Sequence, residues 1–343
     1  MLPAIFSRPR LVVIGLNYFQ CIMTDFTELT PNLFLSALEE ALHTRLTALA
    51  RPLPSYINRV YEVQDEDGTF YIAKFYRPGR WSTAALQDEH SFLFDCSEID
   101  IPVVCPIKLD NGTTLAQLDG ITFTVFPKRA GRQFDVETPE SWTRVGSMLG
   151  RIHNAGARKK ANARLRLTPQ DTTQLYVEQL CQSSITNRWR QPYRDICRRI
   201  VDTVTPFFDQ QEFIRIHGDF HVGNIMHRPG EGLMVIDFDD MMNGPAVQDF
   251  WLLLPDHYPT SRPQLISLLS GYRQFRDCDE SAFKLIEGLR AMRMIYFTAW
   301  CGMQRNDFNF QQKFPDWGSD QFWSREVQDL RTQYANIMDA LSM

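Results

Sequence analysis

One stretch limits the possible folds of this chain more than any other. It reads Ile214-Arg-Ile-His217-Gly-Asp219-Phe-His221-Val-Gly-Asn224-Ile-Met226 and continues as Leu233-Met-Val-Ile-Asp237-Phe-Asp239-Asp240. Apolar strand residues run up to His217, so Asp219 falls in the loop where a strand leaves the core. Asn224 stands just before Ile225 and Met226 resume a strand. The turn Arg228-Pro-Gly-Glu-Gly232 then sends the chain back along Leu233 to Ile236, and Asp237 emerges at that strand's end. A hairpin of this shape brings Asp219, Asn224 and Asp237 to one rim. Two carboxylates and an amide oxygen suit a hard divalent cation such as Mg²⁺, which prefers oxygen ligands and keeps waters and phosphates in its shell. One carboxylate is left over to orient or deprotonate a hydroxyl.

Around this unit the chain divides by composition. An amphipathic helix is expected from about Pro31 to Leu49, ended by Arg51-Pro-Leu-Pro-Ser55. Strands follow at Asn58 to Val63 and Thr69 to Tyr76, joined by the turn Asp65-Glu-Asp-Gly68. Alternation puts Tyr71, Ala73 and Phe75 on one face of the second strand and Ile72, Lys74 and Tyr76 on the other. Ser82 or Thr83 caps a helix to about Glu98. Short strands at Val103 to Ile107 and Thr113 to Gln117 precede a β-branched and aromatic run from Ile121 to Phe126. Beyond Lys128 the pattern is mainly helical. The expected division is an N-terminal extension over residues 1–23, a strand-rich part over 24–127 and a helical part over 128–343. Met23 is read as the start, with residues 1–22 either an upstream misread or a loose tail.

Composition removes several classes. A formal charge of -5 leaves no basic excess for coating nucleic acid, whose non-specific binding depends on neutralising phosphates. Seven scattered cysteines, with no C-x-x-C pair, read as reduced thiols in a cytoplasmic chain. No apolar run is long enough to span a bilayer. Phe283 to Met303 carries Arg290 and Arg293 and reads as a core helix.

Within the strand-rich part, Lys74 sits mid-strand, where a bare ammonium is costly unless paired. On the following helix Glu89 lies on the stripe Leu86, Glu89, His90, Leu93 and Cys96, turned inward, and is its natural partner.

His217-Gly-Asp219 with Asn224, then Ile236-Asp237-Phe238-Asp239, resembles the catalytic loop and metal-binding Asp of aminoglycoside phosphotransferase-like kinases. Ser55-Tyr-Ile-Asn-Arg59, Ala73-Lys74-Phe-Tyr-Arg-Pro78, Val125-Phe-Pro127, Gly244-Pro-Ala-Val-Gln-Asp-Phe-Trp251 and Leu289-Arg-Ala-Met-Arg293 narrow this to the stress response kinase A family. The resemblance covers about Thr24 to Trp323. It implies an α+β, two-lobed protein-kinase-like fold with a small β-rich N-lobe and a large helical C-lobe. It also implies a monomeric, cytosolic Ser/Thr protein kinase using ATP and Mg²⁺, with a role in envelope stress and in countering cell death. A protein with a Ser/Thr acceptor is the implied partner, with autophosphorylation; neither nucleic acid nor membrane is.

The same resemblance gives the residues their roles. Asp219 is the proton acceptor, Asn224 and Asp237 hold Mg²⁺, and Asp237 counts among the catalytic residues. Lys74, paired with Glu89, holds the ATP phosphates, and Ser55 lies at the ATP site. Adenine is expected beside Ala73 and Ile236, bonded to backbone near Phe126 and Pro127. No G-x-G-x-x-G precedes Lys74; Ser55-Tyr56-Ile57-Asn58 stands at that turn. Small-molecule hydroxyl kinases of the homoserine, choline or aminoglycoside type use the same Asp, Asn and Asp, and a non-catalytic nucleotide-binding scaffold is a further alternative. Asp239 either touches a second metal or bonds locally, and Asp249 anchors the loop. The basic runs Arg151 to Arg166 and Arg188 to Arg199 read as solvated faces or as docking surfaces for an acidic protein.

Overall fold

The computed structural model describes residues 26, 29–55, 57–305 and 308–342; the expected extension over residues 1–23, with Met23, lies outside them. Helix α1, Pro31–Leu42, opens with proline in its first turn and closes at His43, whose left-handed backbone (φ 51°) turns its N–H back to the carbonyls of Glu39 and Glu40. The expected continuation to Leu49 is therefore wrong. Leu46–Leu53 is instead strand β1, antiparallel to β2, Arg59–Asp65. The apolar spacing of Leu46 and Leu49 imitates a helix, but the cap at His43 releases these residues to pair. Pro52 is tolerated because β1 is an edge strand.

Strand β3, Phe70–Phe75, follows the predicted turn, and helix α2, Thr83–Ser97, starts at Ser82, whose hydroxyl accepts the N–H of Ala85. Strands β4, Ala116–Leu118, and β5, Ile121–Pro127, complete an antiparallel sheet in the order β1-β2-β3-β5-β4. No strand forms over Val103 to Ile107: Val103 makes one parallel bridge to Val235, and Ile107 donates to the Val125 carbonyl. Tyr71, Ala73 and Phe75 pack against α1 in the small core, where Phe34 stacks on Tyr61 with ring centroids 4.3 Å apart.

The second body begins with β6, Arg132–Gln133, and α3, Pro139–Ala157, entered through a capping box between Thr138 and Ser141. Helices α4, Gln174–Ser183, and α5, Asn187–Phe208, lead to β7, Phe213–Ile216. Strands β8, Ile225–Arg228, and β9, Gly232–Val235, form the predicted hairpin, and β6 joins it as a third strand. Strand β10, Met242–Pro245, returns along β7. Helices α6, Val247–Trp251, α7, Arg262–Tyr272, α8, Ile286–Gln304, α9, Phe308–Lys313, and α10, Asp320–Ser342, complete the chain. As expected for the Phe283 to Met303 stretch, most of α8 is buried in the large core. No helix among the described residues is long and apolar enough to cross a membrane.

The α2 helix carries a buried histidine with a measurable consequence. His90 places Nε2 3.2 Å from the Tyr76 hydroxyl and Nδ1 2.6 Å from that of Thr114, and burial holds its pKa down to about 3. In the unfolded chain the ring takes up a proton near pH 6.5. Between those two values only the unfolded state binds the proton, so stability falls as pH drops, by at most about 1.4 kcal/mol per pH unit. His90→Gln should flatten the dependence of the urea midpoint on pH between 6.5 and 4. An unchanged slope would contradict the assignment.

Candidate active site

The site is built on the β8–β9 hairpin. Its register sets Ile225 opposite Val235, so the residues just beyond, Asn224 and Ile236, lie side by side; Ile236 donates its N–H to the Asn224 carbonyl at 3.1 Å. Asn224 is fully buried. Its Nδ2 donates to the Asp219 carbonyl at 2.9 Å, while its Oδ1 has no hydrogen-bond partner among the described residues. Next along, Asp237 takes a left-handed backbone, φ 66° and ψ 63°. That conformation costs a non-glycine residue about 1–2 kcal/mol, and such outliers cluster at working sites.

Gly218 fixes the approach to Asp219. Its φ is +81°, and a Cβ there would lie 2.1 Å from the Asp240 carbonyl oxygen, so only glycine fits. Beneath the loop Asp249 is wholly buried. Its carboxylate accepts the N–H groups of His217 and Gly218, each at 2.8 Å. His153 donates from Nε2 to the same carboxylate at 3.1 Å and lets Nδ1 accept from the Tyr272 hydroxyl. His217 lies under the loop. Its Nε2 donates to the Ile236 carbonyl at 3.0 Å, its ring packs 4.5 Å from that of Phe238, and burial lowers its pKa, so it is neutral. None of these three side chains faces a substrate; they hold the backbone of the loop.

Between the two bodies is a cleft of about 990 Å³ whose lining includes Ser55, Lys74, Glu89, Phe126, Asp219 and Asp237. Asn224 stands behind that lining. Adenine was expected beside Ala73, but Ala73 faces the small core and Ile72, one residue earlier, lines the cleft; the strand's alternation permits only one of them. Ile236 lines it as expected. In the glycine-free turn, Tyr56 lies outside the described residues, and Asn58 is turned inward. Its Oδ1 accepts the N–H of Arg77, and its Nδ2 donates to Asp239 at 3.1 Å.

Lys74 emerges from β3 at the centre of a buried charge cluster. Its Nζ is 3.1 Å from Asp239, 3.7 Å from Asp237 and 3.9 Å from Glu89. Burial would discharge this ammonium, but the three carboxylates outweigh it and raise its pKa, so Lys74 is a cation. Asp239 is also paired with Arg80, whose second nitrogen lies 2.6 Å from Asp240. Burial disfavours its charge, yet Arg80, Lys74 and Arg164 hold the Asp239 carboxyl well below the usual range. The Asp239 side chain is thus engaged by Lys74, Arg80 and Asn58 of the N-terminal part.

Arg164 is fully buried and donates to Glu89, to the Ala85 carbonyl and to the Asp239 carbonyl, each at 2.7 Å, with its guanidinium 4.1 Å above Trp81. Glu89 is therefore held more closely by Arg164, from the C-terminal body, than by Lys74. Within the basic run Arg151 to Arg166, Arg151, Lys159 and Arg164 reach across to the N-terminal body. Arg151 caps the Asp100 carbonyl at 2.6 Å, Lys159 pairs with Asp95 at 2.6 Å, and Arg166 lies over Phe213. Arg164 is buried, while Arg158, Lys159, Lys160 and Arg166 are exposed. On α5, Arg188 and Arg198 remain solvated beside Asp320 and Asp195.

Sequence reasoning passed over the last participant. Arg293, from α8, donates Nη2 to Asp219 Oδ1 at 3.1 Å, and His221 Nε2 stands 3.4 Å from Oδ2. Burial would raise the Asp219 pKa, but Arg293 first and His221 second bring it down to about 2. Arg80, Arg164 and Arg293 have partners 74 or more positions away, so no local pattern points to them.

Asp219 is an ionised carboxylate at the cleft, with Lys74 across it and Asn224 and Asp237 beside it. A family model described as phosphotransferase enzyme family matches residues 50–294. The chain is 35% identical to stress response kinase A of Escherichia coli K12 over 306 residues, covering 88% of this chain and 92% of the relative. It belongs to the phosphotransferase enzyme family, in the stress response kinase A branch. A second relative, serine/threonine protein kinase RdoA of Salmonella typhimurium, is 32% identical over 296 residues and is covered to 84%. Among solved structures, amicoumacin kinase hAmiN with AMP-PNP, Ca²⁺ and Ami superposes with a TM-score of 0.69 at 18% identity, covering 87% of this chain and 93% of that one. A microcompartment-associated aminopropanol kinase gives 0.67 at 17%, covering 91% and 99%. At these identities the structures establish the two-lobed kinase fold, and the relatives establish a kinase.

The donors at the rim fit a hard divalent cation. Asn224 Oδ1 is a buried acceptor left without a hydrogen, and the strained Asp237 holds a carboxylate next to it. Among the described residues no cluster of three or more His, Cys, Asp or Glu forms a metal cage. A two-ligand site suits a cation that takes its other ligands from water and phosphate.

Proposed function

We propose that this kinase is a Ser/Thr protein kinase that transfers the γ-phosphoryl of ATP, with Mg²⁺, to a protein hydroxyl. The observation that carries the reading is the convergence of Asp219, Asn224, Asp237 and Lys74 on one cleft in a chain 35% identical to stress response kinase A. The acceptor class is supported by the name of the relative RdoA. A monomer working in the cytoplasm, in the response to envelope stress and in protection from cell death, completes the proposal.

Nucleotide lies between residues 24–127 and 128–343 in this reading. Lys74, kept charged and fixed by Glu89 and Asp239, grips the α- and β-phosphates. Asn224 Oδ1 and the Asp237 carboxylate hold Mg²⁺, which when bound neutralises charge on the phosphates. Asp219 orients the acceptor hydroxyl. As the hydroxyl oxygen bonds to the γ-phosphorus, the bond to the β,γ-bridging oxygen breaks, ADP departs and the proton passes to Asp219. The transition state is loose, so placement and charge supply most of the rate.

The test is an acceptor panel with γ-labelled ATP and Mg²⁺. Label on protein acceptors, and on the kinase itself, is the expected result. Turnover of small alcohols such as choline, with proteins unlabelled, would move the chain to the small-molecule hydroxyl kinases that share these residues.

A further inference from the structure

The Arg293 guanidinium makes a contact with Asp219 that the phosphate chemistry leaves unexplained. Asp219 lines the nucleotide cleft, whereas Arg293 and His221, which contact its carboxylate, lie outside that lining. The acceptor hydroxyl must reach Asp219 from outside the nucleotide's own volume, which brings it to the same carboxylate that Arg293 and His221 contact. Arginine carries five N–H donors in a flat fork. Here one nitrogen, Nη2, bonds to Asp219 Oδ1, and neither Nε nor Nη1 has a hydrogen-bond partner among the described residues. The side chain keeps 20% of its surface exposed, so these donors can be reached from solvent. One turn earlier on α8, Arg290 is committed elsewhere, donating to the Asp256 carbonyl with its guanidinium 5.2 Å over Trp251. The nearest carboxylate on the helix, Glu287, is taken up by His257, by the Tyr258 N–H and by Gln333. A partly desolvated cation with donors to spare, held beside the base, is a receptor for a planar or tetrahedral anion.

We propose that Arg293 selects acceptors bearing an anionic group, a carboxylate or a phosphate, next to the hydroxyl that is phosphorylated. The inference rests on Asp219 being the proton acceptor. It adds a substrate preference that neither the net charge nor the fold supplies. Because the group lies outside the lining of the nucleotide cleft, its removal acts on the acceptor and spares ATP.

The experiment compares kcat/KM for a serine peptide flanked by Asp or Glu, its phosphoserine-flanked form, and its Ala- and Lys-flanked forms. Wild type should favour the acidic and phosphorylated peptides over the Ala peptide by about tenfold or more, the size expected of one charge-assisted contact. Arg293→Gln should erase that gap, chiefly through KM for the anionic acceptors, with KM for ATP unchanged. Arg293→Lys should retain part of it. The ratio of carboxylate to phosphate peptides identifies which source the site prefers. An absent gap in wild type, a gap that survives Arg293→Gln, or an equal loss for every acceptor would each overturn the inference. If wild type labels no peptide, the protein-kinase reading fails by itself, and the Arg293 inference is read from L-homoserine against 3-aminopropan-1-ol, which differ by a carboxylate. Preference for homoserine that Arg293→Gln removes supports it, and equal turnover, or none of either alcohol, overturns it.

Discussion

Asp219→Asn should yield a folded protein that binds nucleotide like wild type and transfers phosphoryl about 10²–10⁴-fold more slowly, the range lost with a positioned general base. The substitution keeps the shape of the side chain and removes its charge. Asn224 bonds the Asp219 backbone carbonyl, and Asp249 grips the preceding N–H groups, so neither loop contact needs the carboxylate. Lys74, the proposed phosphate ligand, is paired with Asp239, Asp237 and Glu89. Nucleotide affinity measured by calorimetry should therefore change less than about threefold. A modest loss of stability is expected as well. The Asp219 pKa of about 2 in the fold lies below the ordinary value for Asp, so its charge stabilises the native state above about pH 4, and that contribution disappears as pH falls through about 2. At pH 7 the Asn variant lacks it, which is of the order of 2 kcal/mol. Nucleotide binding lost from a folded variant would assign Asp219 to binding and refute the role of base.

Arg164→Leu should have the largest effect on the fold. Arg164 is buried, and its three guanidinium nitrogens bond the Ala85 carbonyl, the Asp239 carbonyl and Glu89. Leucine leaves Glu89 buried with Lys74 3.9 Å away as its closest remaining cation and strands two carbonyls. Breaking a buried ion pair from one side costs about 3–5 kcal/mol. Urea unfolding should show a loss of that size, and nucleotide affinity should fall too, since the Glu89 that pairs with Lys74 is no longer fixed by Arg164. In a Glu89→Gln background the same substitution should cost less, because the stranded charge is gone. A loss below about 1 kcal/mol in the wild-type background would mean that the Arg164 contact is solvated and Glu89 is held by Lys74 alone.

These two side chains mark the boundary of what the sequence makes legible. Asp219, Asn224 and Asp237 could be brought together from spacing, since a tight hairpin of fixed register joins them and the polar residues stand where apolar strands end. Lys74 and Glu89 could be paired because each breaks an otherwise apolar pattern. Partners at long sequence distance leave no such mark. Arg164 sits in a basic run that looks solvated, and Arg80 and Arg293 are single arginines whose partners come from other elements. The helix predicted through Leu49 failed for a related reason: apolar spacing is shared by a helix and by an edge strand, and the left-handed cap at His43 decides between them. Ala73 does not stand beside adenine because alternation sets it on the face opposite Lys74, and that face is the core one.

The most direct measurement is tandem mass spectrometry of a protein acceptor, and of the kinase itself, after incubation with Mg²⁺ and ATP, using wild type and Asp219→Asn in parallel. The account predicts phosphate on Ser or Thr side chains in the wild-type reaction and its near absence with the variant. Equal phosphorylation by both, or protein left unmodified while a small alcohol is phosphorylated, would contradict it.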